Sequence, residues 1–254
     1  MILEKLNLSG KTALITGSSQ GIGKGIAMAF AESGATVVLQ YRKDKNEAQE
    51  VAREIKKIGG TVHVVQADFS KPNAASGIYK KALEKVKKID ILVINASVQI
   101  PDEWLDVTEK DFDLQTTSNF KATFQLIQLF APDMIKNKWG RILTIGSVQQ
   151  VKPHPSMIIY AATKSAVLNL VQNVAMQLAD KGLTVNNLAP GVIDTPRIDE
   201  KVPESDERII KRMETPIGHI GTPEDCAGLA LLLCSDAGSF ITGQNIFVDG
   251  GMSL

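Results

Sequence analysis

The sequence predicts one α/β domain built on a doubly wound parallel sheet of about seven strands, with helices on both faces. Three observations predict it. Short apolar runs alternate with longer segments of helical spacing from Thr12 to Val248. Several of those runs are continuously apolar, the pattern of strands covered on both faces. No Pro/Ser-rich linker, internal repeat or low-complexity tract divides the 254 residues, a length that one α/β domain commonly spans.

In chain order, strands are expected at Thr12–Thr16, Thr36–Leu39, Thr61–Val65, Ile91–Ile94, Arg141–Ile145, Leu183–Leu188 and Asn245–Val248. Helices are expected at Ile22–Ser33, with Gly34 as its stop, and at Asn46–Ile58, with Gly59-Gly60 as its stop. Others follow at about 73–87, at Thr108–Lys136 with a break in pattern near Ser118-Asn119, at Ile158–Ala179, and around Ala227–Cys234. Strand–helix alternation of this kind implies right-handed crossovers between parallel strands.

Composition narrows the function. Hydrophobic residues make up 44%, and 28 basic residues balance 28 acidic ones, so neither a nucleic-acid footprint nor a membrane-surface patch is indicated. Cys226 and Cys234 are expected as buried thiols in a reducing compartment. Three histidines and two cysteines form no cluster with metal-ligand spacing, so no metal is expected. Met1–Leu6 lacks the pattern of a signal peptide and no apolar run has the length of a membrane span, which points to a cytoplasmic protein.

Ligands of such sheets bind beyond the carboxyl ends of the strands, and the informative residues fall there. Gly17, Gly21 and Gly23 follow the first strand and open the first helix, where backbone N–H groups can approach a pyrophosphate at a helix N-terminus. Tyr160 and Lys164 are four apart and share a helix face. An ammonium about 4 Å from a phenol, at an effective dielectric of about 20, favours the phenolate by about 4 kcal/mol, which makes tyrosine a usable proton donor or acceptor. Ser147 ends the strand run Ile142–Ile145 and could converge with that pair on one carbonyl group.

Together Thr16-Gly17-x-x-x-Gly21-x-Gly23, Asn95-Ala96, Asn119, Ser147, Tyr160-x-x-x-Lys164 and Pro190-Gly191 resemble the classical short-chain dehydrogenases/reductases, over about residues 8–251. The resemblance implies a Rossmann-like single domain, often a homotetramer, that transfers hydride between a nicotinamide cofactor and a carbonyl or alcohol. It implies Tyr160 as acid/base, Ser147 as partner of the substrate oxygen, Lys164 as holder of the nicotinamide ribose and promoter of the phenolate, and Asn119 in a proton relay. A helix-interior, solvent-facing Asn119 is the alternative. The implied cofactor site comprises Gly17, Ser19, Gln20, Gly21, Ile22 and Gly23 in the turn, with Tyr41, Arg42, Asp68, Phe69 and Asn95. Tyr160, Lys164, Pro190, Gly191, Ile193 and Thr195 complete it, Thr195 at the family's carboxamide position; Asp68 could instead cap the helix that follows.

The second strand ends Gln40-Tyr41-Arg42-Lys43, without the acid that favours NAD. An uncharged Gln40 removes repulsion against a 2′-phosphate and Arg42 could pair with it, so NADP(H) is favoured, with NAD(H) possible. Ser97 stands where the resembled family usually has glycine. Candidate substrate contacts are Val98-Gln99-Ile100, Val148-Gln149-Gln150-Val151, Met157 and Gly191–Arg197, with a lid over about 194–213. His154 reads as an exposed spacer, His219 as structural, and Arg197, Arg208, Lys211 and Arg212 as a solvated face. A ketone reductase of the 3-oxoacyl-carrier-protein reductase type leads; a sugar or polyol dehydrogenase and a non-catalytic cofactor-binding redox sensor stay open.

Overall fold

The computed structural model describes residues 1–199, 211 and 214–254. Its strands are β1 (Thr12–Ile15), β2 (Thr36–Tyr41), β3 (Val62–Gln66), β4 (Ile91–Ile94), β5 (Gly140–Ile145), β6 (Leu183–Pro190) and β7 (Asn245–Val248). All pair in parallel, in the order β3-β2-β1-β4-β5-β6-β7. The connecting helices are α1 (Gly21–Glu32), α2 (Lys45–Lys57), α3 (Ala74–Leu83), α4 (Glu109–Thr116), α5 (Ala122–Lys136), α6 (Ile158–Leu178) and α7 (Pro223–Cys234). Each expected strand is present, within two residues at either end.

The pleat sends successive side chains to opposite faces, and the continuous apolar runs supply both. Ala13, Ile15, Val37, Leu39, Ile91 and Val93 pack with Ile26, Phe30, Val51 and Ile55 of α1 and α2. Their neighbours Leu14, Val38, Leu92 and Ile94 pack with Ile78, Leu126, Phe130 and Val171 of α3, α5 and α6. Local signals set the helix starts. Asp44 caps α2 by accepting from Asn46 N (2.8 Å) and Glu47 N (3.2 Å), while Thr222 and Asp225 form a capping box ahead of α7.

Two expectations change here. The α3 helix stops at Leu83, short of Lys87, and its N-cap is Asn73 in the left-handed region, so Asp68 does not cap it. Cys226, Ala227, Ala230, Leu233 and Cys234 of α7 lie in the core beside α1. Both thiols are buried and free, and desolvation pushes each up to about 12, so they are inert at neutral pH. Among the described residues no helix is long and apolar enough to cross a membrane.

The sheet places the site. β1 pairs with β2 on one side and β4 on the other, so successive crossovers leave in opposite directions. A crevice opens beyond the carboxyl ends of β1 and β4, the topological switch point.

Candidate active site

The crevice is a cavity of about 830 Å³ that takes in the glycine turn, the ends of β2, β4, β5 and β6, and the start of α6. After β1 the chain turns through Gly17 (φ +64°) and Gly21 (φ +55°), conformations open to glycine at little cost. The turn is folded tightly on itself: a Cβ on Gly23 would stand 2.3 Å from the Gly17 carbonyl oxygen and 2.6 Å from the Asn95 amide nitrogen. Asn95 Nδ2 donates to the carbonyls of Thr16 (3.0 Å) and Gly17 (2.8 Å), and Thr16 Oγ1 accepts from the N–H groups of Asn95 and Ala96, both at 3.0 Å. The end of β4 is thereby tied to the turn. Thr195, beyond β6, reaches over it and would lie 3.1 Å from a Cβ on Gly21.

At the β2 end, Gln40 borders the cavity, and its amide is spent within the protein. It is buried, accepting from Gly17 N through Oε1 (2.8 Å) and donating through Nε2 to the Ala67 carbonyl (2.7 Å). A charged carboxylate here would lose the donor to Ala67, which gives a fold-level reason for an uncharged residue. Tyr41, Arg42, Asp68 and Phe69 line this end of the cavity. Burial by itself would raise the Asp68 carboxyl, but hydrogen bonds from the Ser70 hydroxyl (2.7 Å) and N–H (3.1 Å), with the charges of Arg42 and Lys71, hold it below the ordinary carboxylate value.

At the other end Ser147, Tyr160 and Lys164 line the same cavity. Ser147 follows β5 and caps a short 3-10 turn, its Oγ accepting from Gln149 N at 3.2 Å. Its hydroxyl hydrogen stays available for a ligand oxygen. Tyr160 and Lys164 sit on the first turns of α6, the Nζ 5.4 Å from the phenol ring centre. That Nζ donates to the Ile145 carbonyl at 2.6 Å, fixing the lysine against the end of β5. Desolvation, with a smaller contribution from the Arg197 charge, pushes the Lys164 ammonium down to about 7. The sequence argument took a permanent cation; burial makes Lys164 a group that changes charge near neutrality.

Asn119 lies in a π-helical turn, Thr117–Lys121, between α4 and α5, which explains the broken helical pattern. It is buried, not solvent-facing: Oδ1 accepts from Val98 N (2.7 Å) and Nδ2 donates to Val98 O (2.8 Å) and Thr163 Oγ1 (3.2 Å). The π turn therefore aims Asn119 at the segment after β4 and at the residue next to Lys164.

Pro190 and Gly191 close β6, and a Cβ on Gly191 would lie 2.8 Å from Asp249 Cα. Ile193 forms a bridge with Gly221. Ser19, Gln20, Gly21, Ile22, Pro190, Gly191, Ile193 and Thr195 all line the cavity; Gly23 does not, acting beneath the turn. Among the described residues, no three metal-ligating side chains gather.

These features coincide with those of known proteins. The family model described as enoyl-(acyl carrier protein) reductase matches residues 17–253. The chain is 39% identical to the 7alpha-hydroxysteroid dehydrogenase of Escherichia coli strain K12, over 98% of its own length and 96% of the relative's. A crystal structure of a 3-oxoacyl (acyl-carrier-protein) reductase from Agrobacterium tumefaciens C58 with NADP bound superposes with TM-score 0.90, at 38% identity, covering 98% of this chain and 97% of that one. A 7 alpha-hydroxysteroid dehydrogenase complexed with NADH and 7-oxo glycochenodeoxycholic acid also gives TM-score 0.90, at 38% identity and coverage of 98% and 96%. The chain belongs to the short-chain dehydrogenase/reductase family. It is an oxidoreductase of that family.

Within this dehydrogenase/reductase frame the substrate end departs from the sequence reading in several places, Asp194 among them, which does not line the cavity. Gln150 is spent internally, Nε2 on the Lys164 carbonyl (2.8 Å) and Oε1 accepting from Asn187 (3.3 Å). Ile100, Gln150 and Val151 do not line the cavity, whereas Val98, Gln99, Val148, Gln149 and Met157 do. His154, taken as a spacer, lines it too, its ring accepting from Ser156 N (3.2 Å) and its pKa lowered by burial. Arg197, read from the sequence both as a candidate substrate contact and as part of a solvated face, lines the cavity and donates to Ser97 Oγ (3.1 Å) and Ser97 O (2.9 Å). Met252, near the chain end, also lines the cavity, and nothing local in the sequence signals it. The expected lid, 194–213, falls largely outside the described residues, as do Arg208 and Arg212.

Proposed function

We propose that the protein is an NADP(H)-preferring carbonyl reductase or alcohol dehydrogenase with Ser147, Tyr160, Lys164 and Asn119 as its catalytic set. The observation that carries this is the convergence of Ser147, Tyr160 and Lys164 with the glycine turn on one cavity at the sheet's switch point. The residues fit a dinucleotide: the turn after β1 has no side chain at Gly17, Gly21 and Gly23, so phosphates can lie close to its backbone and to the N-terminus of α1. Tyr41, Arg42, Asp68 and Phe69 would hold the adenosine end. Tyr160, Lys164, Pro190, Gly191, Ile193 and Thr195 would hold the nicotinamide end.

When bound, a reduced nicotinamide supplies the hydride that turns a carbonyl carbon into a carbinol. The chain's residues then manage the oxygen. Ser147 donates its hydroxyl hydrogen to that oxygen, and Tyr160 delivers the proton that completes the alcohol. Lys164 in its charged form stabilises the phenolate left behind, and Asn119, anchored beside Thr163, serves the relay that returns a proton from solvent. Catalysis by this route needs no metal.

NADP(H) is favoured because Arg42 offers a guanidinium at the ribose end, and structural relatives carry NADP in one case and NADH in another. Arg42→Ala is expected to raise the NADPH Michaelis constant about tenfold while leaving that for NADH within about twofold. Equal values for NADPH before and after the change contradict the assignment.

The substrate is a ketone or secondary alcohol. Relatives suggest the 3-oxoacyl thioester, steroid and sugar ketone classes. A homotetramer in the cytoplasm is our reading of the assembly. It rests on the exposed apolar side chains Phe112, Phe120 and Phe124 along α4–α5 and Phe240, which a lone chain leaves to water. Sedimentation at the mass of one chain contradicts it.

A further inference from the structure

Among the described residues the substrate end of the cavity is lined by basic side chains and no acid. Its charged lining residues are Arg42, Asp68, Lys164 and Arg197, and Asp68 sits with Arg42 at the opposite, adenosine end. Around Lys164 that leaves two basic side chains and no acid among the described residues. Among the described residues Arg197 makes no ion pair; its two terminal nitrogens rest on the hydroxyl and carbonyl of Ser97. A guanidinium has five donors, so these two contacts orient it and leave others unspent. Its charge reaches the buried Lys164 ammonium and opposes it, so a half-buried guanidinium and a desolvated ammonium face the same cavity. Holding them there costs free energy that an incoming anion would recover.

Ser97 supplies the second half of the argument. It stands after Asn95-Ala96, where the resembled family usually has glycine, and its Oγ is used to hold Arg197. The departure at Ser97 and the inward turn of Arg197 are thus one feature, a guanidinium held between the end of β4 and the segment after β6.

We propose that Arg197 is a specificity-determining residue that pairs with a carboxylate on the substrate, so that the preferred ketone is an acid, with Ser97 positioning the guanidinium. The anion is assigned to the substrate because the cofactor's charges have other partners, the glycine turn and Arg42, whereas among the described residues the cavity beyond Lys164 (Val98, Gln99, Gln149, Met157) offers no other cation except a protonated His154. This inference rests on the reductase reading above.

The test pairs each of pyruvate, levulinate and benzoylformate with its methyl ester. Affinity is measured by calorimetric titration into the wild-type enzyme–NADP⁺ complex, with NADPH oxidation followed separately. At least one acid is expected to bind about 10- to 100-fold more tightly than its ester, a preference that Arg197→Gln removes while ester affinity and NADPH affinity stay unchanged. Ser97→Gly is expected to reduce the same acid-to-ester ratio several-fold, because the Ser97 carbonyl remains to hold Arg197. A merely structural role of Ser97 would weaken acid and ester alike and so contradicts the positioning assignment. Equal affinities for every acid and ester, or no saturable binding of any acid, overturns the proposal. So does an Arg197→Gln variant that binds NADPH about tenfold more weakly with an unaltered ratio, since the anion is then the cofactor's phosphate. Turnover of the esters without any acid preference would remove the carboxylate site and leave the reductase intact. Failure of the reductase reading shows instead as cofactor binding with no substrate-dependent oxidation.

Discussion

Tyr160→Phe is expected to lower kcat/KM for ketone reduction by about 1,000-fold while NADPH affinity changes by no more than about twofold. The substitution removes one oxygen from a buried ring on α6 and leaves the ring's packing in place. What it deletes is the phenol hydroxyl, the proposed proton donor, of a side chain that lines the cavity with Ser147. Correctly placed proton transfer contributes roughly 100- to 10,000-fold, and the remaining rate would come from orientation and from Ser147. Steady-state kinetics with a matched cofactor titration checks this. A fall in cofactor affinity parallel to the fall in rate would make Tyr160 a binding residue only.

Gly23→Ala is expected to weaken NADPH binding by about 100-fold and to lower Tm by roughly 2 to 12 °C. The added methyl would stand 2.3 Å from the Gly17 carbonyl oxygen, and backbone, not a flexible side chain, would have to give way. Opening the turn disturbs the Asn95 contacts to Thr16 and Gly17, so the damage spreads to the end of β4. Gly228→Ala in α7 is the control, since a Cβ there meets nothing within 4 Å and replaces a poor helix former. It should leave cofactor binding unchanged and raise Tm slightly. Calorimetry and thermal melts of both variants decide the point; unaltered NADPH affinity in Gly23→Ala contradicts the cradle.

What was legible in the sequence is what local pattern determines. The seven strands followed from apolar runs such as Ile91–Ile94, whose four side chains divide between two cores. Tyr160 and Lys164 shared a face because helix geometry places residues four apart together. Even the disruption at Asn119 left a trace, a break in the 3.6-residue pattern that the structure resolves as a π turn.

What was not legible depends on partners distant in sequence. Whether Gln40 faces a ribose or the interior is decided by Gly17 and Ala67, which lie 23 and 27 positions away. Gln150 is consumed by Lys164 and Asn187 rather than by substrate. What holds Arg197 in the cavity is Ser97, a hundred positions earlier, a pairing that neither residue's local sequence shows. The desolvation that moves Lys164 is likewise a property of the assembled site, in which its Nζ rests on the Ile145 carbonyl 19 positions earlier.

The central claim is that this site moves a hydride between a nicotinamide and a carbonyl carbon. The most direct measurement supplies NADPH deuterated at the transferable position of the nicotinamide with a panel of 3-oxoacyl thioesters, steroid ketones, ketoses and keto acids, and reads the products by mass spectrometry. The account expects one deuterium on the carbinol carbon of at least one product and none on its hydroxyl, which takes its proton from solvent through Tyr160. Tight cofactor binding with no deuterium in any product would contradict it and identify the protein as a nicotinamide-binding sensor.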